Sequence, residues 1–270
     1  MHANFFQNKV VLITGASQGI GKSLAEQVLQ YGGKVVITGR NTARLAALEK
    51  HWEKHAAAML LLAVDVADEA GQQKLIQAIQ ERFGRLDVLI NNAGMSAYGD
   101  LAQTDAEVIR TLIDTNIKGV LFTTKAALPL LRESQGRVLF ISSLAGLYGL
   151  PGYSLYSLTK MALRAVRQSL QAELAKSGVY VGIAYVGFTE NETDKRTLNA
   201  KGEGEAVPPR SARITFSREQ TARLLLNQIA QKKAVQIQGK MGKATYFLAQ
   251  YFPGILRWVL AKNYQKRATK

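Results

Sequence analysis

Short apolar runs rich in Val, Ile and Leu alternate with longer stretches of helical period along most of the chain. The runs occupy residues 9–14, 35–38, 59–64, 86–90, 137–141, 179–185 and 234–237. Near-continuous apolar character in so short a run predicts a strand covered on both faces. Between the runs, 22–31, 41–55, 68–83, 104–131, 154–176 and 217–230 carry the mixed polar and apolar pattern of surface helices. Strand and helix in strict alternation predict an α/β fold: a seven-stranded, doubly wound parallel sheet with helices on both faces and its ligand groove at the C-terminal strand edge.

Local signals refine the boundaries. Thr104-x-x-Glu107 has the form of a capping box and predicts the start of the long helix reaching Leu131. Asp68 is placed to cap 68–83, and Ser217-Arg218-Glu219-Gln220 to cap the helix ending near Ala230. Residues 188–210 are polar and rich in Gly and Pro, including Lys201-Gly202-Glu203-Gly204-Glu205 and Pro208-Pro209. They predict a mobile lid over a substrate. With no repeat and no linker, 1–238 reads as one domain and 239–270 as a C-terminal helical extension that Pro253-Gly254 splits into two short pieces.

At 270 residues and 47% hydrophobic, the chain has ample material for one core. Zero cysteines exclude disulfides, thiolate nucleophiles and thiolate metal ligands. The three histidines, His2, His51 and His55, make a poor metal set, and the last two suit a charged helix surface, so no metal is expected. No basic leader precedes a long apolar segment and no run of 18 apolar residues occurs, so a cytoplasmic protein is expected. The net charge of +15 changes the picture because of where it lies. Residues 210–270 hold thirteen basic residues against Glu219 alone.

Candidate chemistry concentrates in 142–160. After Pro151-Gly152 the chain suits a helix, which puts Tyr156 and Lys160 one above the other on a single face. An ammonium beside a phenol favours the phenolate and brings it nearer to proton transfer at neutral pH. Ser143, at the end of the run 138–141, can hold a substrate oxygen. Near the N-terminus, Gly15-Ala16-Ser17-Gln18-Gly19-Ile20-Gly21 joins a strand to a helix. Glycines there let backbone approach a pyrophosphate, and the helix N-terminus offers free N–H groups.

Taken in order, the Gly-x-x-x-Gly-x-Gly turn, Asn91-Asn92-Ala93-Gly94, Asn116, Ser143 and Tyr156-x-x-x-Lys160 resemble the short-chain dehydrogenase/reductase family, and the resemblance covers most of the chain. It implies a Rossmann fold binding a nicotinamide dinucleotide through Gly15, Ser17, Gly19, Ile20 and Gly21 at the pyrophosphate. By the same resemblance Asp65 and Val66 meet the adenine, and Asn91, Ala93 and Gly94 line the groove. Tyr156 and Lys160 also hold the nicotinamide ribose, while Asn116 keeps a water that leads to Lys160. Arg40 follows the second strand, where this fold faces the adenosine ribose. An acid there would bind a 2′-hydroxyl, whereas arginine suits a 2′-phosphate, so NADP is expected over NAD, with Ser17 adding a hydrogen bond. The plainer alternative for Arg40 is a solvated loop charge. Family members carry Pro-Gly after the sixth strand. This chain has Val186-Gly187, as do some relatives of hydroxysteroid dehydrogenases, with Glu192-Thr193 downstream. Gly187 keeps the close approach, and either Asn191 or Thr189 serves the nicotinamide.

The activity so implied is NADP-dependent interconversion of a carbonyl and an alcohol, catalysed by Asn116, Ser143, Tyr156 and Lys160. The substrate leans towards an apolar lipid- or steroid-like ketone. The alternative is a non-catalytic dinucleotide-binding or regulatory protein on the same fold. A homodimer is expected. Nucleic acid is not, because the basic tail lacks a reading motif. Aromatic residues mixed with Lys and Arg in 240–270 suit peripheral contact with an anionic membrane, and equally a helix packed over the cleft or against a partner subunit.

Overall fold

A computed structural model describes residues 3–192, 195–207 and 214–268. Residues 193–194 and 208–210 of the expected lid, and the last two residues of the extension, lie outside the described residues.

Seven strands form one parallel sheet: β1 (Val10–Ile13), β2 (Lys34–Gly39), β3 (Met59–Ala63), β4 (Val88–Asn91), β5 (Arg137–Ser143), β6 (Tyr180–Val186) and β9 (Val235–Ile237). Their order across the sheet is β3-β2-β1-β4-β5-β6-β9. The order reverses between β1 and β4, so the loops leaving these two strands part to opposite sides and leave a groove at the C-terminal edge. All four residues of β1 and of β4 are buried, as strands with helices on both faces require. One core cluster, including Val11, Ile13, Leu24, Val28 and Leu225, fills one face. Another, including Leu12, Leu75, Leu89, Leu131 and Leu163, fills the other.

At the opposite, N-terminal edge, Asp87 is buried. It accepts from the Val10 N–H at 2.9 Å, from Lys9 at 3.1 Å and from Arg85 at 2.6 Å. Burial alone would raise the carboxyl pKa, but the Arg85, Val10 and Lys9 bonds outweigh it and hold the group below its ordinary value.

The helices on the faces are α1 (Gly19–Gln30), α2 (Thr42–His51), α3 (Glu69–Phe83), α4 (Ala106–Ile113), α5 (Gly119–Glu133), α6 (Ser154–Glu173) and α7 (Arg218–Ala230). Ser217 forms the expected capping box with Gln220. Two expected caps differ. Asp68 stands at the N-cap of α3, yet its side chain makes no capping bond. Thr104 does not open α4. A short 3-10 turn, Leu101–Gln103, precedes it, the Thr104 hydroxyl donates to the Asp100 carbonyl at 2.9 Å, and Asp105 becomes the N-cap. The single long helix expected from 104 to 131 is divided by a π turn, Asp114–Lys118.

The segment expected to be a plain lid contains a small antiparallel hairpin, β7 (Arg196–Leu198) and β8 (Gly204–Ala206). It is anchored to the body where Leu198 bridges Ala97, and Thr189 bridges Phe216. The extension forms α8 (Gly239–Tyr251) and α9 (Pro253–Ala268), broken where Pro253-Gly254 predicts. α8 rests on the loop after β5, since a Cβ on Gly242 would lie 2.8 Å from the Leu144 side chain. Among the described residues, no helix is long and apolar enough to cross a membrane.

Candidate active site

The site is built around a buried amine. Gly152, with φ +75°, turns the chain into α6, and two turns later Lys160 is only 6% exposed at the end of β5. Its Nζ donates to the Ile141 carbonyl at 3.1 Å, while the Ser142 hydroxyl donates to the Lys160 carbonyl at 2.9 Å. These two bonds fasten the end of β5 to the first turns of α6. Gly146 permits this approach, because a Cβ there would come within 2.4 Å of Ser142 Oγ. Burial lowers the Lys160 pKa to about 8, and the like charge of Lys195, just before the hairpin, adds to the effect.

Tyr156 lies beside it, with Lys160 Nζ 5.9 Å from the ring centroid. The Tyr153 ring stands 6.5 Å from that of Tyr156, and Tyr98 packs on Tyr153 at 4.9 Å, so an aromatic wall flanks the phenol. Ser143 ends β5, where its hydroxyl accepts weakly from the Ala145 N–H at 3.3 Å.

Asn116 is fully buried in the π turn. Its side chain reads both backbone groups of Met95, accepting from N–H at 2.9 Å and donating to the carbonyl at 2.8 Å, and it also donates to Thr159 Oγ1 at 3.1 Å. A Cβ built on Gly94 would lie 3.2 Å from both Asn116 Oδ1 and Lys160 Nζ. Any larger residue at 94 would fill the gap these two polar atoms border. Asn116, Lys160 and Gly94, far apart in sequence, thus meet at one point.

The glycine turn runs against β4. Gly15 and Gly19 have φ of +62° and +60°, and a Cβ on Gly15 would lie 2.9 Å from Ala93 Cα. Asn92 of the Asn91-Asn92-Ala93-Gly94 motif and Thr14, which sequence reasoning did not single out, hold the turn there. Asn92 Nδ2 donates to the Thr14 and Gly15 carbonyls at 2.8 and 3.0 Å, and Thr14 Oγ1 accepts from the N–H groups of Asn92 and Ala93. Asn91 is buried beneath them, with its amide on Thr124 at 3.0 Å, so it steadies the groove from below. Gly21 is tight against Asn92, whereas Ile20 is half-buried at the first turn of α1.

The N–H of Gly19, at the start of α1, donates to the Glu192 carboxylate at 3.1 Å, and the same oxygen pairs with Arg218. Burial alone would raise the Glu192 pKa. The Gly19 bond and Arg218 outweigh it and hold the carboxyl below its ordinary range. The positive end of α1 therefore attracts an anion, and in this molecule Glu192 supplies one. Neither Glu192 nor Arg218 was expected here, and no local pattern marks a contact across 173 residues.

Where β2 ends, Ser17 lies against the Gly39 backbone and Arg40 follows it in the chain. A Cβ on Gly39 would lie 3.0 Å from Ser17 Oγ, and Arg40 pairs with Asp65 at 3.7 Å. Arg44, one turn into α2, reaches the same region by donating to the Gln18 side chain. Its place four residues after Arg40 was the signal available. Asp65 also accepts from the Ala67 N–H at 3.0 Å, and Val66 packs so closely on Gly119 that a Cβ there would be 2.5 Å away.

At the other end of the groove, Gly187 N–H donates to Gln238 Oε1 at 3.0 Å, and Gln238 Nε2 donates to Thr221 Oγ1 at 2.8 Å. Gln238 thereby restrains the segment that lacks proline. Thr189 is buried with its hydroxyl against Thr221 at 3.2 Å, while Asn191 is half-buried beyond it.

Comparison with known proteins places this architecture. The family model for short chain dehydrogenase matches residues 9–202. An uncharacterized oxidoreductase of Staphylococcus saprophyticus is 40% identical over 210 residues, which cover 74% of this chain and 90% of that protein. A dehydrogenase/reductase SDR family protein 7-like of Anopheles gambiae is 31% identical over 272 residues, covering 98% of this chain and 86% of its own. Among solved structures, a short-chain dehydrogenase from Streptomyces avermitilis superposes with a TM-score of 0.79 at 25% identity over 97% of this chain and 98% of that one. ElxO with NADP bound gives 0.73 at 26% identity, covering 86% and 97%. A Burkholderia phymatum reductase in complex with NAD shares the fold, with a TM-score of 0.78 at 24% identity and coverage of 90% and 93%. The family model spans most of the chain and the sheet follows the same plan, so the protein belongs to the short-chain dehydrogenase/reductase family of oxidoreductases.

Proposed function

We propose that this protein reduces a ketone or aldehyde to an alcohol, or runs the reverse reaction, with NADP as its cofactor. The observation that carries the proposal is the buried Lys160 beside Tyr156, sharing with Asn116 the gap above Gly94. The groove fits a dinucleotide. Glycines stand where a Cβ would collide, the N-terminus of α1 already holds a carboxylate, and Arg40, Arg44 and Ser17 gather where β2 ends. Gly15, Gly19, Ile20 and Gly21 would hold the pyrophosphate, and Asp65 and Val66 the adenine. Ala93 and Gly94 would line the ribose. Gly187 with Asn191 would hold the carboxamide, because the Thr189 hydroxyl is engaged inside the fold.

When bound, the nicotinamide supplies the hydride in reduction and accepts it in oxidation. Tyr156 gives its phenolic proton to the carbonyl oxygen as negative charge develops there, and Ser143 donates a hydrogen bond to the same oxygen. The Lys160 ammonium lowers the cost of the phenolate that remains. Asn116 fixes the polar gap through which the proton is replaced. The wall of Tyr98 and Tyr153 favours an apolar carbonyl substrate, lipid- or steroid-like in character.

The direct test is NADPH oxidation over a panel of carbonyl compounds. Tyr156→Phe should lose about 10²- to 10⁴-fold in turnover with NADPH affinity and melting temperature nearly unchanged. Full activity in that variant would overturn the mechanism.

Lys160→Met should likewise be inactive, yet more stable than the parent at neutral pH. The folded pKa of about 8 lies below the ordinary lysine value of 10.5, so the native state gives up this proton before the unfolded chain does. Below pH 8 the buried charge costs the fold on the order of 3 kcal/mol at most. Between pH 8 and 10.5 the cost fades as the native amine becomes neutral. Thermal melts of both proteins should show the variant ahead at pH 7 and the gap closing towards pH 10.5. A less stable variant at pH 7 would make the ammonium a net stabiliser.

Cofactor choice is tested at Arg40. NADPH should bind more tightly than NADH by more than about tenfold, the scale of one charge-assisted bond, and Arg40→Ala should narrow that gap. Equal dissociation constants for the two cofactors in the parent would refute the assignment.

Glu192 holds a negative charge at the helix end that a pyrophosphate would use. Glu192→Gln should therefore bind NADPH more tightly, by about tenfold, since removing the internal anion abolishes a charge-assisted competitor. Titration by intrinsic fluorescence can measure this, and weaker binding would mean that Glu192 helps the cofactor instead of competing with it.

A further inference from the structure

Helices α8 and α9 each present an outward stripe that the fold leaves uncovered. α9 rests on the body through Leu256, which is buried, and through Leu260 and Tyr264, whose hydroxyl donates to the Asp100 carboxylate. That i, i+4, i+8 stripe accounts for its inner face. On the outside, Ile255, Trp258, Val259 and Lys262 form a second stripe at i, i+3, i+4 and i+7, with Trp258 62% exposed. In α8 the inner side carries Gly242 and Tyr246, while Lys240, Lys243, Phe247 and Tyr251 face outward. Phe252 joins the two helices, and the Phe247 ring lies 5.0 Å from Tyr251 and 5.9 Å from Phe252.

We propose that this outer face docks on the surface of an anionic lipid bilayer. Three observations favour lipid as the occupant. First, half of the large apolar residues that stand exposed among the described residues belong to these two helices and the residue that joins them: Met241, Phe247, Tyr251, Phe252, Ile255, Trp258 and Val259. Such a cluster on a surface calls for a partner. Second, the charge that accompanies it has one sign. Lys240, Lys243, Arg257 and Lys262 are exposed around the aromatic rings, and no acidic residue occurs from 239 to 270. A second copy meeting this face across a two-fold axis would set these like charges against one another, whereas lipid phosphates and carboxylates pair with them. Third, Trp and Tyr carry an apolar ring with a polar handle, and Lys262 lies 5.0 Å over the Trp258 ring, an arrangement that puts charge and ring at the same depth. The helices are too short and too charged to span, so they lie in the interface plane.

The test uses the full chain with vesicles of phosphatidylcholine, alone or mixed with phosphatidylserine. Flotation should occur with the mixed vesicles at low salt, fall sharply at high salt, and be absent with phosphatidylcholine alone. Trp258 should report insertion by a blue shift, because the other tryptophan, Trp52, is already buried. In Trp258→Phe the shift should vanish while most of the flotation persists. Replacing Lys240, Lys243, Arg257 and Lys262 by Gln should weaken partitioning roughly fivefold for each charge removed, with the melting temperature unchanged. The proposal fails if the parent does not float with mixed vesicles at low salt, or floats equally with both kinds. It also fails if sedimentation shows a dimer that Trp258→Ala dissociates while flotation is absent, which would assign the face to a second copy.

Discussion

An amine held almost out of water at the end of a parallel sheet is the constraint that the surrounding structure satisfies. An unpaired ammonium in a protein interior is costly, and the fold answers the cost with oxygen atoms placed around Lys160 before any ligand arrives. The Ile141 carbonyl accepts from its Nζ, and Asn116 Oδ1 lies across the gap above Gly94. Each of these needs its own support. β5 must run to Ser143 to present Ile141, and Ser142 must fasten to the backbone of α6. The last residues of β4 must lead into Gly94 and Met95 so that Asn116 has a backbone to read. The residues at the C-terminal edge are thus tied together by the need to keep one charge tolerable.

Charge elsewhere in the molecule is handled by separation. The buried carboxylate of Asp87 sits at the far edge of the sheet with two cations of its own, where it cannot compete for Lys160. Along the groove, cationic and anionic groups pair within the chain: Arg40 with Asp65, and Glu192 with Arg218 and the Gly19 amide. Such pairs oblige an incoming anion to exchange partners instead of filling bare positions.

Much of this was readable from the chain. The strands declared themselves because a strand covered on both faces is filled mostly by apolar side chains, and the Tyr156 to Lys160 spacing already fixed their shared face. The failures have physical causes. Thr104 matched a capping pattern, but a local 3-10 turn at Asp100 claimed its hydroxyl first. The hairpin of 196–206 carries polar and small residues whose extended form comes from Ser96 and Ala97, a hundred positions away, so its own pattern was silent. Glu192, Arg218 and Gln238 are ordinary surface residues by type, and only the meeting of distant segments gives them a place in the site, whereas Arg44 carried a local signal in its spacing from Arg40.

The π turn at Asp114–Lys118 has a further consequence for how this chain can vary. A π turn holds one residue more than an α-helical path of similar rise, and each residue of an α-helix turns the axis by about 100°. The turn absorbs that extra residue by underwinding, so the packing faces on either side of it keep their phase. Before it, Val108 and Leu112 join Ala97 and Leu155 in a small separate cluster. After it, Val120, Ala127, Leu130 and Leu131 meet the sheet. Excising one residue between 114 and 118 would let the segment close into a smooth α-helix with both faces still aimed at their partners, and the widened turn that carries Asn116 would be lost. A single deletion here would therefore spare the packing of α5 and fall on the contacts that Asn116 makes with Met95 and Thr159.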